Sequence, residues 1–358
     1  YKIEVALDRK PETEVDIIDE ADEFLDNFST QEEINLTRLA SSLRQLSPEH
    51  PNALEAIDSI IELISLEEKN KQALGIDERK IFHIKETHLQ KIINLLLKNH
   101  ELEAEISLDE LSYANKAIEA AHALLDLLDE TYVTFRREEK DLCASLVNTN
   151  LSKRFSEIIN KNKALVLMSG TLHSPEVLRK IFGIKDFAVV EAETFSQGTM
   201  ETERTGKEFD CKYSNLAASS ESREKYLRAL QSCLERAKRP VLVHVNAYED
   251  LPSVEECQKY ELTNMMPKEK LRDIQQQDKT GRLVSLFKAK LSDSLFTTKC
   301  SRGVDFPGDI CNSVVFTKYP NPNVNGVFWR ILQLTHKDSY WDFYRDKARR
   351  ELLQRLYR

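Results

Sequence analysis

The chain has 358 residues, 41% of them hydrophobic and 31% charged, with a formal net charge of −9. This is enough for two or three domains with sizeable cores, and it excludes a disordered or low-complexity chain. The acidic balance excludes nonspecific coating of a polyanion but allows a local basic groove. No apolar run nears the roughly 20 residues of a membrane span, and no basic segment followed by an apolar stretch marks a signal peptide. The six cysteines (Cys143, Cys211, Cys233, Cys257, Cys300, Cys311) contain no Cys-x-x-Cys pair. That argues against zinc or a disulfide framework and for reduced thiols in a cytosolic or nuclear protein.

Residues 1–28 read as strand, turn and strand, the second strand being Val15-Asp16-Ile17-Ile18, which runs into Asp19-Glu20-Ala21-Asp22. Thr30 and Glu33 have capping-box spacing. They predict a helix with Leu36, Leu39, Ala40, Leu43 and Leu46 on one face, broken by Pro48 and Pro51. A second helix carries Leu54, Ile57, Ile60, Ile61 and Ile64, and a third Leu89, Ile92, Ile93 and Leu96. Ser107 and Glu110 predict another capping box, opening a long helix with Leu111, Ala114, Ile118, Ala121, Leu125 and Leu128. Residues 30–130 are therefore expected to form an all-helical bundle.

Residues 131–135 are β-branched and aromatic and predict a strand. The charge run 136–140 reads as a solvated turn, and 152–159 as a helix. Ala164-Leu165-Val166-Leu167-Met168 predicts a parallel strand covered on both faces, running into Ser169-Gly170-Thr171-Leu172. Pro175 opens a helix, and 187–190 is a further expected strand. The polar stretch 194–220 reads as a crossing between domains. Beyond it, expected helices at 221–237, near 254–260, at 282–291 and at 340–358 are interspersed with strands at 240–245, 295–298 and 313–317. That pattern predicts a second parallel sheet. Tyr1 lies just before a buried-type strand and Arg358 inside an amphipathic helix, so the chain reads as a fragment of a longer polypeptide.

Each chemistry-bearing segment lies just past an apolar strand, where open α/β sheets place their ligands. Paired carboxylates there suit a nucleotide-bound Mg²⁺. Asp19 orients the metal and its waters, and Glu20 polarises the attacking water. The tetrapeptide alone is weak, since acidic clusters usually sit at solvated helix starts. Ser169 and Thr171 follow another strand, and Cys300-Ser301-Arg302-Gly303-Val304-Asp305-Phe306-Pro307-Gly308 follows a third.

These segments together resemble a superfamily 2 helicase of the XPD/DinG type. Asp19 to Asp22 matches motif II, with Asp22 where the family usually has His. Ser169-Gly170-Thr171-Leu172, followed by Ser174-Pro175, matches motif III. Val241 to Tyr248 resembles motif IV, with Asn246 where Ser is commoner. Ser301 to Gly308 matches motif V, with Arg302 at a position that is often Glu. Gln354 and Arg358 fit the first half of motif VI. In a DEAD-box RNA helicase motifs II and III are a few tens of residues apart, whereas here Asp19 and Ser169 are 150 positions apart.

The resemblance implies an α/β architecture of RecA-like parallel-sheet motor domains with an inserted all-helical arch domain. Residues 1–29 and 151–193 would belong to the first motor domain, 30–150 to the arch and 194–358 to the second motor domain. It also implies ATP and Mg²⁺ as cofactors, with Asp19 and Glu20 at the metal. Asp22 would contact motif III or VI, and Ser169, Gly170 and Thr171 would couple hydrolysis to domain movement. Gly303 and Asp305 would lie at the domain interface near the ribose and Mg²⁺. Gln354 would be a catalytic residue of motif VI, and Arg358, or an arginine after it, would act as an arginine finger on the γ-phosphate. Asn246, Thr298 and Ser301 would contact the strand.

The implied partner is single-stranded or forked DNA, with 5′-to-3′ movement in repair or replication and no membrane. No Gly-x-x-x-x-Gly-Lys-Ser/Thr occurs in the chain, so the fragment alone is expected not to hydrolyse ATP. The family's iron–sulfur cysteines precede motif II, so this chain does not decide whether a cluster is present. Two alternatives stay open: a DEAD-box-like RNA helicase, and a non-catalytic nucleic-acid-binding module. Other features have bland readings. His122 reads as an ordinary histidine, Cys300 as a small buried residue, Phe328 and Trp329 as core, and 319–323 as a rigid loop. Lys161, Lys163, Arg179 and Lys180 read as scattered surface charges.

Overall fold

A computed structural model describes residues 12–46, 50–191, 206, 208–216, 218–300 and 303–356. The chain divides into two units, Tyr1–Asp186 with Asn323–Phe343, and Phe187–Pro322 with Tyr344–Arg358. The strand expected near the start, Pro48 and the stretch 192–205 lie outside the described residues.

In the first unit, β1 (Thr13–Ile18) leads into the short α1 (Ala21–Asp26). Then follow β2 (Thr30–Asn35), α2 (Leu36–Gln45), α3 (Pro51–Leu74), β3 (Phe82–His83), α4 (Leu89–Lys98), α5 (His100–Ser107) and α6 (Tyr113–Ala123). β4 (Thr131–Glu138), β5 (Asp141–Asn148), α7 (Leu151–Ile159), β6 (Asn162–Leu167) and α8 (Pro175–Lys180) complete its first segment. A short α9 (Tyr213–Leu216), α10 (Ser220–Arg236), β7 (Val241–His244), α11 (Val254–Lys259), α12 (Lys268–Gln277), α13 (Arg282–Lys288), β8 (Ser294–Thr297) and β9 (Ser313–Phe316) build the second unit. α14 (Val327–Thr335) returns to the first unit, and α15 (Tyr340–Leu356) begins there and ends in the second.

The stretch expected to be all helical is mixed. β2, β5, β4 and β3 form a four-stranded sheet in that order, every pair antiparallel. The expected capping box at Thr30 and Glu33 is instead strand β2. Its fully buried Ile34 joins the core, and Glu33 meets Arg136 at 2.8 Å. Here cross-strand pairing overrides a local cap signal. The charge run 136–140 likewise continues β4 to Glu138 before the hairpin turn into β5. The second expected capping box fails too: Ser107 ends α5, Ser112 caps α6, and Leu111 is exposed. β5, α12 and α14 were not foreseen.

The cap of α2 is Asn35, whose side chain accepts from the Arg38 amide at 2.8 Å and donates to Asp141 at 2.8 Å. Asn35→Ala is expected to lower the stability of the first unit by about 1–2 kcal/mol. Urea denaturation checks this, and an unchanged midpoint would count against the cap.

The apolar faces of α2 to α6 share one core with the sheet. It includes Leu39, Leu43, Ile60, Ile64, Ile92, Leu96, Val133, Phe135 and Leu146. An ion pair sits inside it. Lys71 meets Glu67 at 3.1 Å, with side chains 5% and 2% exposed. The Lys71 ammonium stands 3.6 Å from the Phe82 ring centre and 4.2 Å from that of Phe135. The other Glu67 oxygen accepts from the His88 amide at 2.7 Å and lies 2.7 Å from His88 Nδ1.

β1 and β6 pair in parallel, Ile17 opposite Val166. The expectation that this sheet is covered on both faces is not met among the described residues. Val15 and Ile17 are 54% and 66% exposed, and Val166 and Met168 are also exposed. The expected strand at 187–190 is also absent, and Val189 and Val190 are exposed.

The second unit is built on the parallel sheet β8-β7-β9. Strand alternation sends Val241 and Val243 to a core with Leu227, Leu230 and Leu271. Leu242 and Leu295 go to another core with Phe287 and Phe306. A strand apolar on both faces suits this double cover.

Candidate functional site

In the first unit the acidic segment is stitched to the loop after β6. Met168 donates its amide to the Ile18 carbonyl and accepts from the Ala21 amide, both at 2.9 Å. Glu20 takes a left-handed conformation, φ 49° and ψ 42°, which costs a non-glycine residue on the order of 1–2 kcal/mol. This turn starts α1 at once. Asp19 and Glu20 stay exposed, while Asp22 is fully buried.

The buried Asp22 carboxylate is met by hydroxyls. Ser169 Oγ donates to Oδ1 at 2.7 Å, and Thr171 Oγ1 donates to Oδ2 at 2.9 Å. The Thr171 amide in turn donates to Ser169 Oγ at 3.0 Å. Such donors offset the desolvation of a buried charge. A Cβ at Gly170 would meet nothing within 4 Å, so clearance does not require glycine there.

Asp26 lies one helical turn beyond Asp22 on the same face. Its Oδ1 is 3.1 Å from His173 Nε2, with side chains 9% and 0% exposed. The His173 ring packs on Phe182 and Phe343 at 5.3 and 6.1 Å. That block continues to Phe155 and Phe28. Neither Asp26 nor His173 was singled out from sequence, although the i, i+4 spacing of Asp22 and Asp26 was a usable signal.

Asp19 and Glu20 offer exposed carboxylate oxygens at a strand end, the hard donors that Mg²⁺ takes alongside nucleotide phosphates. Asp19 also accepts from the Glu20 amide at 2.9 Å. The donor set therefore fits the implied metal. Among the described residues, Glu33, Glu138 and Cys143 also gather three ligand-type atoms within 4.8 Å. Arg136 bridges those two glutamates at 2.8 and 3.3 Å, so a guanidinium already balances that cluster.

In the second unit the polar residues collect past the ends of the strands. Asn246 follows β7, and its amide donates to Thr317 Oγ1 at 3.1 Å. Thr317 Oγ1 donates to the buried Asp250 at 2.9 Å, and Lys318 reaches the same carboxylate at 2.7 Å. Past β8, Thr298 donates to Gln275 Oε1 at 3.0 Å, and Tyr248 donates to the same oxygen at 2.9 Å. Asp250, Gln275 and Lys318 were missed from sequence, because their roles depend on loops that meet only in the fold.

Gly303 has φ +71°, a left-handed backbone that favours glycine. It is exposed, as is Asp305. Gln354 is half-buried on α15. Ser301 and Arg358 lie outside the described residues. Burial pushes the Cys300 thiol above its ordinary pKa, which disfavours the reactive thiolate. His122 is a surface residue 2.9 Å from Glu103, and Trp329 is core, packed on Tyr340 and Phe343.

Residues 230–358 match the Helicase C-terminal domain family. The particular likeness is to XPD. The chain superposes on the structure of S. tokodaii Xpd4 with a TM-score of 0.51 at 16% identity, over 95% of this chain and 67% of that one. An XPD protein in its apo form gives 0.48 at 16% identity, over 95% and 68%. An XPD helicase gives 0.46 at 14%, over 96% and 61%. The superposition on Xpd4 shows a shared fold. The expected resemblance to an XPD-type helicase is borne out as a likeness of fold with parallel sheets and as a family match over residues 230–358. A search of the curated proteins finds no match to this chain. Among the described residues, no helix is long and apolar enough to cross a membrane.

Proposed function

We propose that the chain is part of an ATP-dependent DNA helicase that couples Mg-ATP hydrolysis to 5′-to-3′ movement on single-stranded DNA, in repair or replication. The observation that carries this reading is the Asp22 clasp. The segment bearing the exposed acids Asp19 and Glu20 is tied, through one buried carboxylate, to both hydroxyls of the loop at 169–171. Bound Mg-ATP would supply the charged phosphoryl group and its counterion. Asp19 would hold the metal side and Glu20 would orient water and accept its proton. The clasp would transmit displacement between the acid segment and the loop. Gly303 and Asp305 would touch the nucleotide sugar, and Gln354 and Arg358 the terminal phosphate. Asn246, Thr298 and Ser301 would contact the strand.

The chain spans 61–68% of the length of the XPD structures it matches, so the activity of the whole protein is part of this proposal. With no Gly-x-x-x-x-Gly-Lys-Ser/Thr in its sequence, the chain by itself would not turn ATP over.

Titration of a fluorescently labelled DNA single strand tests the strand contact. The expected result is binding that weakens with salt, with a log–log slope of about −0.7 for each phosphate neutralised. Preferential binding of the matching RNA would transfer the reading to an RNA helicase. Absence of salt-dependent binding to either strand at low salt would overturn the strand-binding assignment.

A further inference from the structure

We infer that Asp26 and His173 form a second latch between α1 and the loop after β6, a positioning pair that holds Ser169 and Thr171 in place for Asp22. The inference rests on the reading of that loop as the coupling element. α1 has six residues and no side-chain N-cap, too short to hold its own shape in water. Its orientation must come from tertiary contacts. Leu25 is fully buried, and the helix's two inward carboxylates each engage the same five-residue loop. Asp22 takes Ser169 and Thr171, and Asp26 takes His173.

The loop needs a pin at its far end. Its start is fixed by the Ala21 amide on the Met168 carbonyl. Gly170 then gives the backbone more conformational freedom than any other residue would. His173 closes that freedom two residues after Thr171. The aromatic rings of Phe182 and Phe343 locate the imidazole, and the contact with Asp26 sets which way its Nε2 points. With both ends held, α1 and the loop move as one body, so a displacement of the acid segment reaches the Phe182–Phe343 block.

The test is backbone amide exchange at Thr171, whose N–H donates to Ser169 Oγ, in the intact chain without nucleotide or DNA. His173→Phe keeps the ring and removes the donor. His173→Gln keeps a donor and removes the ring. Asp26→Ala removes the acceptor. His173→Phe and Asp26→Ala are each expected to speed exchange at Thr171 by about tenfold, the scale of one net hydrogen bond. Combining them adds nothing further, and His173→Gln retains most of the protection.

Wild-type protection in His173→Phe would overturn the latch. So would equal loss in the Gln and Phe variants, or an equal rise in exchange at Ile60 and Ile92 in the core, since each points to packing rather than positioning. The measurement needs no motor activity. Failure of the helicase reading therefore leaves its outcome standing, and failure of the latch leaves the DNA titration standing.

Discussion

Replacing Glu20 by Gln is expected to lower DNA-stimulated ATP hydrolysis by about 10²–10⁴-fold, the usual contribution of a positioned general base. The assay needs a polypeptide that joins this chain to a phosphate-binding loop. The substitution keeps shape and removes basicity. Glu20 is exposed at the end of β1, so the fold does not depend on burying its charge. kcat and kcat/KM should fall together with ATP affinity little changed, the pattern of an interaction made only in the transition state. A variant within about threefold of the parent would remove Glu20 from the proposed reaction.

Glu67→Gln should unfold the first unit at markedly lower urea, with a loss of about 3–5 kcal/mol, because it leaves the Lys71 ammonium buried without its counter-charge. Both side chains are almost completely enclosed. The carboxylate also accepts from the His88 amide at 2.7 Å, so a glutamine NH₂ would face donors rather than acceptors. The rings of Phe82 and Phe135 retain part of the attraction for Lys71, but a cation–π contact is worth only about 0.5–2 kcal/mol. The double replacement Glu67→Leu with Lys71→Met should recover most of the loss, since apolar residues of similar volume often match a buried ion pair. A single variant within about 1 kcal/mol of the parent would mean that water reaches the pair. The transition should be followed by a probe in the first unit, because two units need not unfold as one.

How far the fold was legible varied with the kind of signal. Helices α3 and α4 showed in the apolar spacing of Ile57, Ile60 and Ile64 and of Leu89, Ile92 and Leu96, and those residues are buried. The parallel strands of the second unit showed in short apolar runs between helical patterns. β2 and β5 did not show. Thr30-Gln31-Glu32-Glu33 is polar enough to read as a helix start, and Asp141 to Asn148 lacks clean alternation. Both became strands through backbone pairing: β5 lies between β4 and β2, and each edge of β5 finds its hydrogen-bond partners there.

The order of the acid segment, the Ser-Gly-Thr loop and the Gly-Val-Asp turn, each behind an apolar strand, was set by sequence alone, and so was the resemblance to helicases that it carries. Local chemistry suffices there, because strand ends and turn residues announce themselves at short range. Which carboxylate is buried, which loop it grips, and that Asp26 with His173 and Asp250 with Thr317 and Lys318 meet at all were decided by the tertiary structure. Those partners stand 147 positions apart in the first case and 67 in the pairing of Asp250 with Thr317. A hydrogen bond across such a distance has no local signature, because it forms only once β1 has paired with β6 and β7 with β9.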